Sequence, residues 1–239
     1  MREEMRHGKH MPETPQEQIR LAIYDMDRTV TKRPTYTPFL LHAAARRNPL
    51  RLLTLPVVGL WILAYAAKLI DRTRLKEMMQ WMLLGAAIHP QRLATVVDSF
   101  ADKTARNNVR PGAAEDLKRN KAEGYRLILA TASYRLYVEA IAERLGFDDV
   151  IATNSLIGLD KRIIARIDGE NCYGPGKMRM VEAWLKREGI ARENAHIRFY
   201  SDHISDAPLL GWADEGFAVN AHASLRHLAR NMKWAVVDW

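Results

Sequence analysis

Two aspartates one residue apart, Asp25 and Asp27, follow the apolar run LAIY at residues 21–24. Carboxylates this close repel unless a proton or a cation lies between them, so they read as a metal seat, a catalytic pair or a solvated turn. A Ca²⁺ loop of the EF-hand type is excluded, since Val30 occupies its glycine position and Tyr36 its glutamate position. Three further places carry chemistry-bearing side chains. In ILATAS, residues 128–133, the hydroxyl of Thr131 precedes a helix expected near Ser133, and could hold a phosphate oxygen or cap that helix. Lys177 follows Gly174-Pro175-Gly176 at a helix start, where the helix dipole disfavours a cation; it meets an anion there or stands in solvent. In FYSDHISDAPLL, residues 199–210, Asp202 and Asp206 suit a metal ligand with a second acid orienting a neighbour, or a plain helix cap. His203 reads as loop surface, and His89 and His196 show no paired ligand spacing.

The elements that must position these groups alternate along the chain. A strand spans residues 19–25 and ends in the acid pair. From about Thr35 to Asn108 the texture is helical without a convincing strand; Leu93, Val96, Val97, Phe100 and Thr104 keep the spacing of one helix face. After Arg110-Pro111-Gly112, helices stopped at Gly124, Gly146 and Gly189 alternate with strands at 125–131, 149–153 and 196–201. A hairpin fits residues 154–172, and a helix near Ala207, the strand GFAVN, a helix near Leu225 and the strand WAVV complete the chain. This order predicts an α/β fold, a mostly parallel sheet with helices on both faces. Residues 19–34 and 109–239 then form the core and residues 35–108 a helical insertion after the first strand. Ligands of such sheets bind at the carboxyl ends of the strands, where Asp25, Thr131 and Asp202 fall.

Composition sets the outer bounds. The 239 residues can bury a proper core, and 48% hydrophobic with 27% charged residues is ordinary for a soluble protein. The single cysteine, Cys172, forms no internal disulfide, and the polar N-terminus lacks the apolar segment of a secretory signal; both favour a cytoplasmic setting. Residues 1–18 read as a disordered tail. The net charge of +8 points to an anionic partner or substrate, but the basic residues are scattered, no nucleic-acid motif is visible, and nucleic acid is not expected. Leu52–Ala67 is an uncharged run shorter than the ~20 residues of a spanning helix. Arginines and lysines flank it on both sides. It reads as a buried helical hairpin or, across residues 50–70, as a peripheral contact with an anionic membrane at its inner face.

Taken in order, Asp25-Met26-Asp27-Arg28-Thr29, Thr131, Lys177, and Asp202 with Asp206 resemble the four motifs of the haloacid dehalogenase (HAD) superfamily. The helical insertion resembles the C1 cap of its subfamily IB, which includes phosphoserine phosphatase. A receiver domain of two-component signalling uses similar residue types, but its phospho-acceptor lies on the third strand and not the first. The resemblance implies a Rossmann-like three-layer core and a Mg²⁺-dependent phosphatase. Asp25 would be the nucleophile of an aspartyl-phosphate and Asp27 its acid/base partner. Mg²⁺ would be held by Asp25, the backbone carbonyl of Asp27 and Asp202; Thr131, Ala132 and Lys177 would hold the phosphoryl oxygens, with Asp206 orienting Lys177. Phosphoserine phosphatases carry a glutamate after the first motif to meet the substrate ammonium, whereas TVTKRPTYTPFLL has no acid. The apolar, arginine-flanked cap instead resembles phosphatidylglycerophosphate phosphatases of the subfamily. The expected substrate is therefore a phospholipid headgroup or a small soluble phosphomonoester. Phosphotransfer to another acceptor and a non-catalytic basic binding protein are the competing readings.

Overall fold

In the computed structural model, which describes residues 18–239, strand β1 (Ile19–Tyr24) lies centrally in an eight-stranded sheet. The tail expected over residues 1–18 lies outside the described residues but for Gln18. A tight turn at Met26–Val30 leads into α1 (Tyr36–Arg47), a 3₁₀ stretch at Pro49–Thr54, α2 (Leu55–Ala66), α3 (Arg72–Leu84), β2 (Ala87–Ile88) and α4 (Ala94–Asn107). The alternating part follows: α5 (Pro111–Ala122), β3 (Arg126–Tyr134), α6 (Arg135–Leu145), β4 (Asp149–Ile157), β5 (Ile163–Asp168), α7 (Pro175–Arg187), β6 (Ala195–Ser201), α8 (Ala207–Trp212), β7 (Glu215–Val219), α9 (Ala223–Met232) and β8 (Ala235–Val237).

The sheet order is β2-β5-β4-β3-β1-β6-β7-β8. Pairings from β4 through β8 are parallel, and only the β4–β5 and β5–β2 pairings at one edge are antiparallel. Both faces are covered, which is why β1 and β3 read as apolar runs without alternation. Ala22, Tyr24, Leu127 and Leu129 point into one core layer, and Leu21, Ile23, Ile128 and Ala130 into the other. Register aligns Tyr24 with Leu129 on one side and Tyr200 on the other, so the residues just beyond them emerge together at the carboxyl edge.

Between β1 and α5 the helices α1–α4 form an insertion, the cap. Its two connections run side by side: Thr31 bridges Val109, and Lys32 N–H donates to the Asn108 carbonyl at 2.7 Å. The cap packs α4 on α6 of the core. Its texture is not wholly helical, as the sequence suggested, because β2 adds two residues to the edge strand β5. A second difference concerns residues 52–67. A buried hairpin was the alternative to membrane contact, yet within α2 only Val58 is buried.

Candidate active site

At the carboxyl edge the chain leaves β1 through Asp25, whose N–H donates to the Tyr200 carbonyl at 2.9 Å. Asp27 keeps an extended backbone and Arg28 turns left-handed, with φ of 69°. This turn reverses the chain, so that Asp25 and Asp27 face one cavity without sharing the same surroundings. The cavity, of about 280 Å³, is lined by Asp25, Asp27, Thr131, Lys177, Asp202 and Asp206, among others. Ala132 lines it as well. The structure thus brings every residue singled out from the sequence into one place.

The centre is a buried charge cluster. Lys177 Nζ donates to Asp25 Oδ1 at 2.7 Å and to Asp206 Oδ2 at 2.6 Å. Burial alone would pull the lysine down, but the Asp206 and Asp25 carboxylates outweigh it and hold the ammonium well above its ordinary range. Asp206 makes no side-chain cap to α8; it accepts from Lys177 and from Ser201 Oγ at 2.8 Å. Burial pushes the Asp25 carboxyl up to about 7, with Lys177 opposing and Asp206 and Asp202 adding to the rise. Asp202 is likewise raised by burial, against a hydrogen bond from Thr29. Thr29 Oγ1 lies 3.4 Å from Asp25 Oδ2 and 3.2 Å from Asp202 Oδ1, so one hydroxyl ties the two acids together.

Asp27 stands apart. Its Oδ1 accepts from Thr35 N–H at 2.9 Å and Thr35 Oγ1 at 2.8 Å, and its Oδ2 from Ser133 Oγ at 2.9 Å. Burial raises its carboxyl, and these three bonds limit the rise. With both oxygens engaged, the Asp27 side chain is poorly placed to ligate a metal. Among the described residues, no three His, Cys, Asp or Glu side chains form a metal cage. The donor set that remains is Asp25 and Asp202. Three buried carboxylates, Asp25, Asp202 and Asp206, surround the ammonium of Lys177, and that surplus of negative charge fits a divalent cation with oxygen ligands.

Local structure differs from the sequence reading at two points. Strand β3 continues through Ser133 to Tyr134, past its expected end at residue 131, and α6 begins at Arg135. The pairing with β4 slips between Thr131 and Tyr134. Ser133 N–H, which would have been an open helix-start amide, donates to Thr131 Oγ1 at 3.1 Å. His203, expected on the loop surface, is half-buried and lines the cavity.

Two cap residues at the site were missed. Lys76 of α3 is buried, and its Nζ donates to the Ala132 carbonyl at 2.6 Å and Asn171 Oδ1 at 2.9 Å. The signal was available: Lys76 shares the helix face of Met79, Gln80 and Leu83, where a lysine needs a buried partner. Arg72, counted only as a flank of the apolar run, lines the cavity mouth and stacks over Tyr173 at 4.1 Å.

Comparison with known proteins agrees with this geometry. The model of haloacid dehalogenase-like hydrolases matches residues 22–211, and the chain belongs to this hydrolase family. Protein CicA of Caulobacter vibrioides is 28% identical over 198 residues, covering 82% of this chain and 83% of that protein. Phosphoserine phosphatase SerB1 of Mycobacterium tuberculosis is 28% identical over 147 residues, covering 62% of this chain and 47% of the relative's length. A solved structure of a Bordetella pertussis protein of unknown function superposes with a TM-score of 0.82 at 26% identity, covering 92% of this chain and 99% of that one.

Proposed function

We propose that the chain is a Mg²⁺-dependent phosphomonoesterase working through an aspartyl-phosphate on Asp25. The observation that carries this reading is the Asp25 carboxylate held by Lys177 in the cavity that Asp27 also lines, with Asp27 in a separate hydrogen-bonded niche. Two carboxyls in different environments can divide the roles of nucleophile and acid/base. Asp25 attacks phosphorus and the ester bond to the leaving oxygen breaks, while Asp27 gives that oxygen its proton. Asp27 then takes a proton from water, whose oxygen attacks the phosphorus and releases phosphate and Asp25. Lys177 neutralises the nucleophile and the phosphoryl oxygens, and Thr131 and the Ala132 backbone line their seat. Mg²⁺, held by Asp25, Asp202 and the Asp27 carbonyl, would supply further neutralisation of phosphoryl charge.

The mouth bears on the leaving group. Arg28 and Arg72 line it, and among the described residues the carboxylates of the lining are Asp25, Asp27, Asp202 and Asp206. A substrate ammonium finds no partner there, whereas a leaving group with its own negative charge finds two guanidiniums. This favours an anionic phosphomonoester, such as a lipid headgroup phosphate, over phosphoserine.

Hydrolysis of p-nitrophenyl phosphate tests the chemistry. Mg²⁺ should be required, EDTA should abolish turnover, and Asp25→Asn should lower kcat at least about a thousandfold. Equal rates under all of these conditions would sink the proposal. Arg72→Ala should raise KM for a phosphate ester with a charged leaving group while leaving p-nitrophenyl phosphate little affected; a uniform loss would remove the argument from the mouth.

A further inference from the structure

Among the described residues, exposed large apolar side chains concentrate in the cap between Leu50 and Leu69. Pro49–Thr54 and α2 form one helical segment of 18 residues, long and apolar enough by composition to cross a membrane. Leu50, Leu53, Leu60 and Leu63 are 74, 76, 64 and 65% exposed, and Leu55, Val57, Ile62 and Tyr65 are exposed beside them. A helix that is apolar all round belongs inside protein or against lipid. One side of α2 packs through Val58 and Trp61, and no described residue covers the exposed positions; residues 1–17 contain no apolar run. Because α1 and α3, on either side, pack against each other, both ends of the segment return to one body and it cannot cross a bilayer.

Charge identifies the occupant. No acid occurs between Asp27 and Asp71, while Arg46, Arg47 and Arg51 precede the apolar helix and Lys68, Arg72 and Arg74 follow it. A second copy docked on the same face would bring these cations together. Next to the segment lies a cleft of about 510 Å³ whose lining includes Arg47, Arg51, Arg92, Arg162 and His89, and no carboxylate. Arg51 is fixed there by the Trp81 and Met82 carbonyls at 3.2 and 2.9 Å, and its guanidinium fills the space beside Gly85, where a Cβ would come within 2.9 Å of Nη2. Arg162 is paired with Asp160, outside the lining; Arg47 donates to the Arg92 carbonyl. The Arg92 guanidinium remains for an anion.

We propose that this face docks on an anionic lipid bilayer, with α2 lying in the interface and the arginine cleft receiving the phosphate of a lipid headgroup. Docking does not depend on the phosphomonoesterase reading, but it extends that reading. Arg72, which lines the mouth of the catalytic cavity, stands three residues beyond the exposed Leu69 at the end of the docking segment.

Co-sedimentation with phosphatidylcholine vesicles, with and without phosphatidylglycerol, over a salt titration tests the proposal without reference to turnover. The full chain should sediment with the anionic vesicles, be released as salt rises, and ignore the neutral ones. The pair Leu60→Glu and Leu63→Glu, at exposed positions, should stay in the supernatant while keeping the wild-type thermal midpoint. Arg47→Gln and Arg92→Gln should each weaken anionic-vesicle partitioning about fivefold. Failure of the wild type to bind anionic vesicles at low salt would overturn the proposal, as would unchanged binding by the glutamate pair. A lipid-free dimer dissociated by the glutamate pair would assign the face to a second copy instead. Unchanged binding by both glutamine variants would remove the cleft from the site.

Discussion

Lys76 offers a quantitative test of how the cap is joined to the core. Its amine is buried between Ala132 O and Asn171 Oδ1, two acceptors that a neutral amine can satisfy with its two hydrogens. Burial, with Arg72 adding to it, lowers this lysine from 10.5 to about 7. That difference corresponds to on the order of 5 kcal/mol between the two protonation states, trimmed by the Tyr134 ring 4.5 Å away, which favours the charged form. The unfolded chain holds its lysine proton up to about pH 10.4, so between about 7 and that value it binds more protons than the folded chain. The contribution of Lys76 to stability should therefore become more favourable with pH across this window, and below it the full burial penalty should apply. Lys76→Met removes the titration and both hydrogen bonds, although Thr153 Oγ1 still lies 2.8 Å from Ala132 O and 3.0 Å from Asn171 Oδ1. The variant should be as stable as wild type or more so at the acidic end, and several kcal/mol less stable at the alkaline end, about 4 kcal/mol separating the two differences. Urea unfolding of both proteins across the window measures this. Parallel stability curves would refute the reasoning, since they would mean that Lys76 keeps its proton on folding or is not buried in solution.

Gly176→Ala would place a Cβ 2.6 Å from the Asn171 carbonyl in the first turn of α7. The shift needed to relieve this contact moves Lys177, and a misplacement near 1 Å should lower kcat about a hundredfold with a smaller effect on the thermal midpoint. A wild-type rate would show that the 170–174 loop absorbs the change. Ser133→Ala removes one of the three donors that restrain the rise of the Asp27 carboxyl. The limb of the pH–rate profile governed by Asp27 should move to higher pH, and an unmoved limb would take Asp27 out of the titration.

What could be read from the sequence was what the backbone pattern fixes by itself. Asp25, Thr131 and Asp202 follow apolar runs at the carboxyl ends of strands, and parallel pairing brings such ends together whatever the cap does. Lys177 was legible because a lysine in the first helical turn runs against the dipole. Lys76 and Arg72 were harder, because their reach into the site depends on how α3 packs against the sheet, a contact distant in sequence. The extension of β3 past residue 131 was missed because a slip in the β3–β4 register carries the strand through Ser133. The surroundings of α2 were undecidable, since an apolar run of that length has the same composition whether protein or lipid covers it.

The two halves of the molecule answer to different selection of charge. At the sheet edge, three buried carboxylates against one ammonium suit a transferring phosphoryl group and a divalent cation, and their geometry is set by strand register. The cap contributes arginines at the mouth and outside it, and its apolar helix lies within a stretch, residues 28–70, that holds no carboxylate. Chemistry and leaving-group choice are therefore separable. Substitutions in α2 or at Arg72 should change which phosphate esters reach Asp25, whereas substitutions at Asp25, Lys177 or Asp202 should change the rate for all of them alike. The link between the halves is Lys76, which ties α3 to the carbonyl of Ala132, a residue of the proposed phosphoryl seat. A movement of the cap that carries α3 away from Ala132 would break that bond, and with it one of the contacts that fix the Ala132 carbonyl.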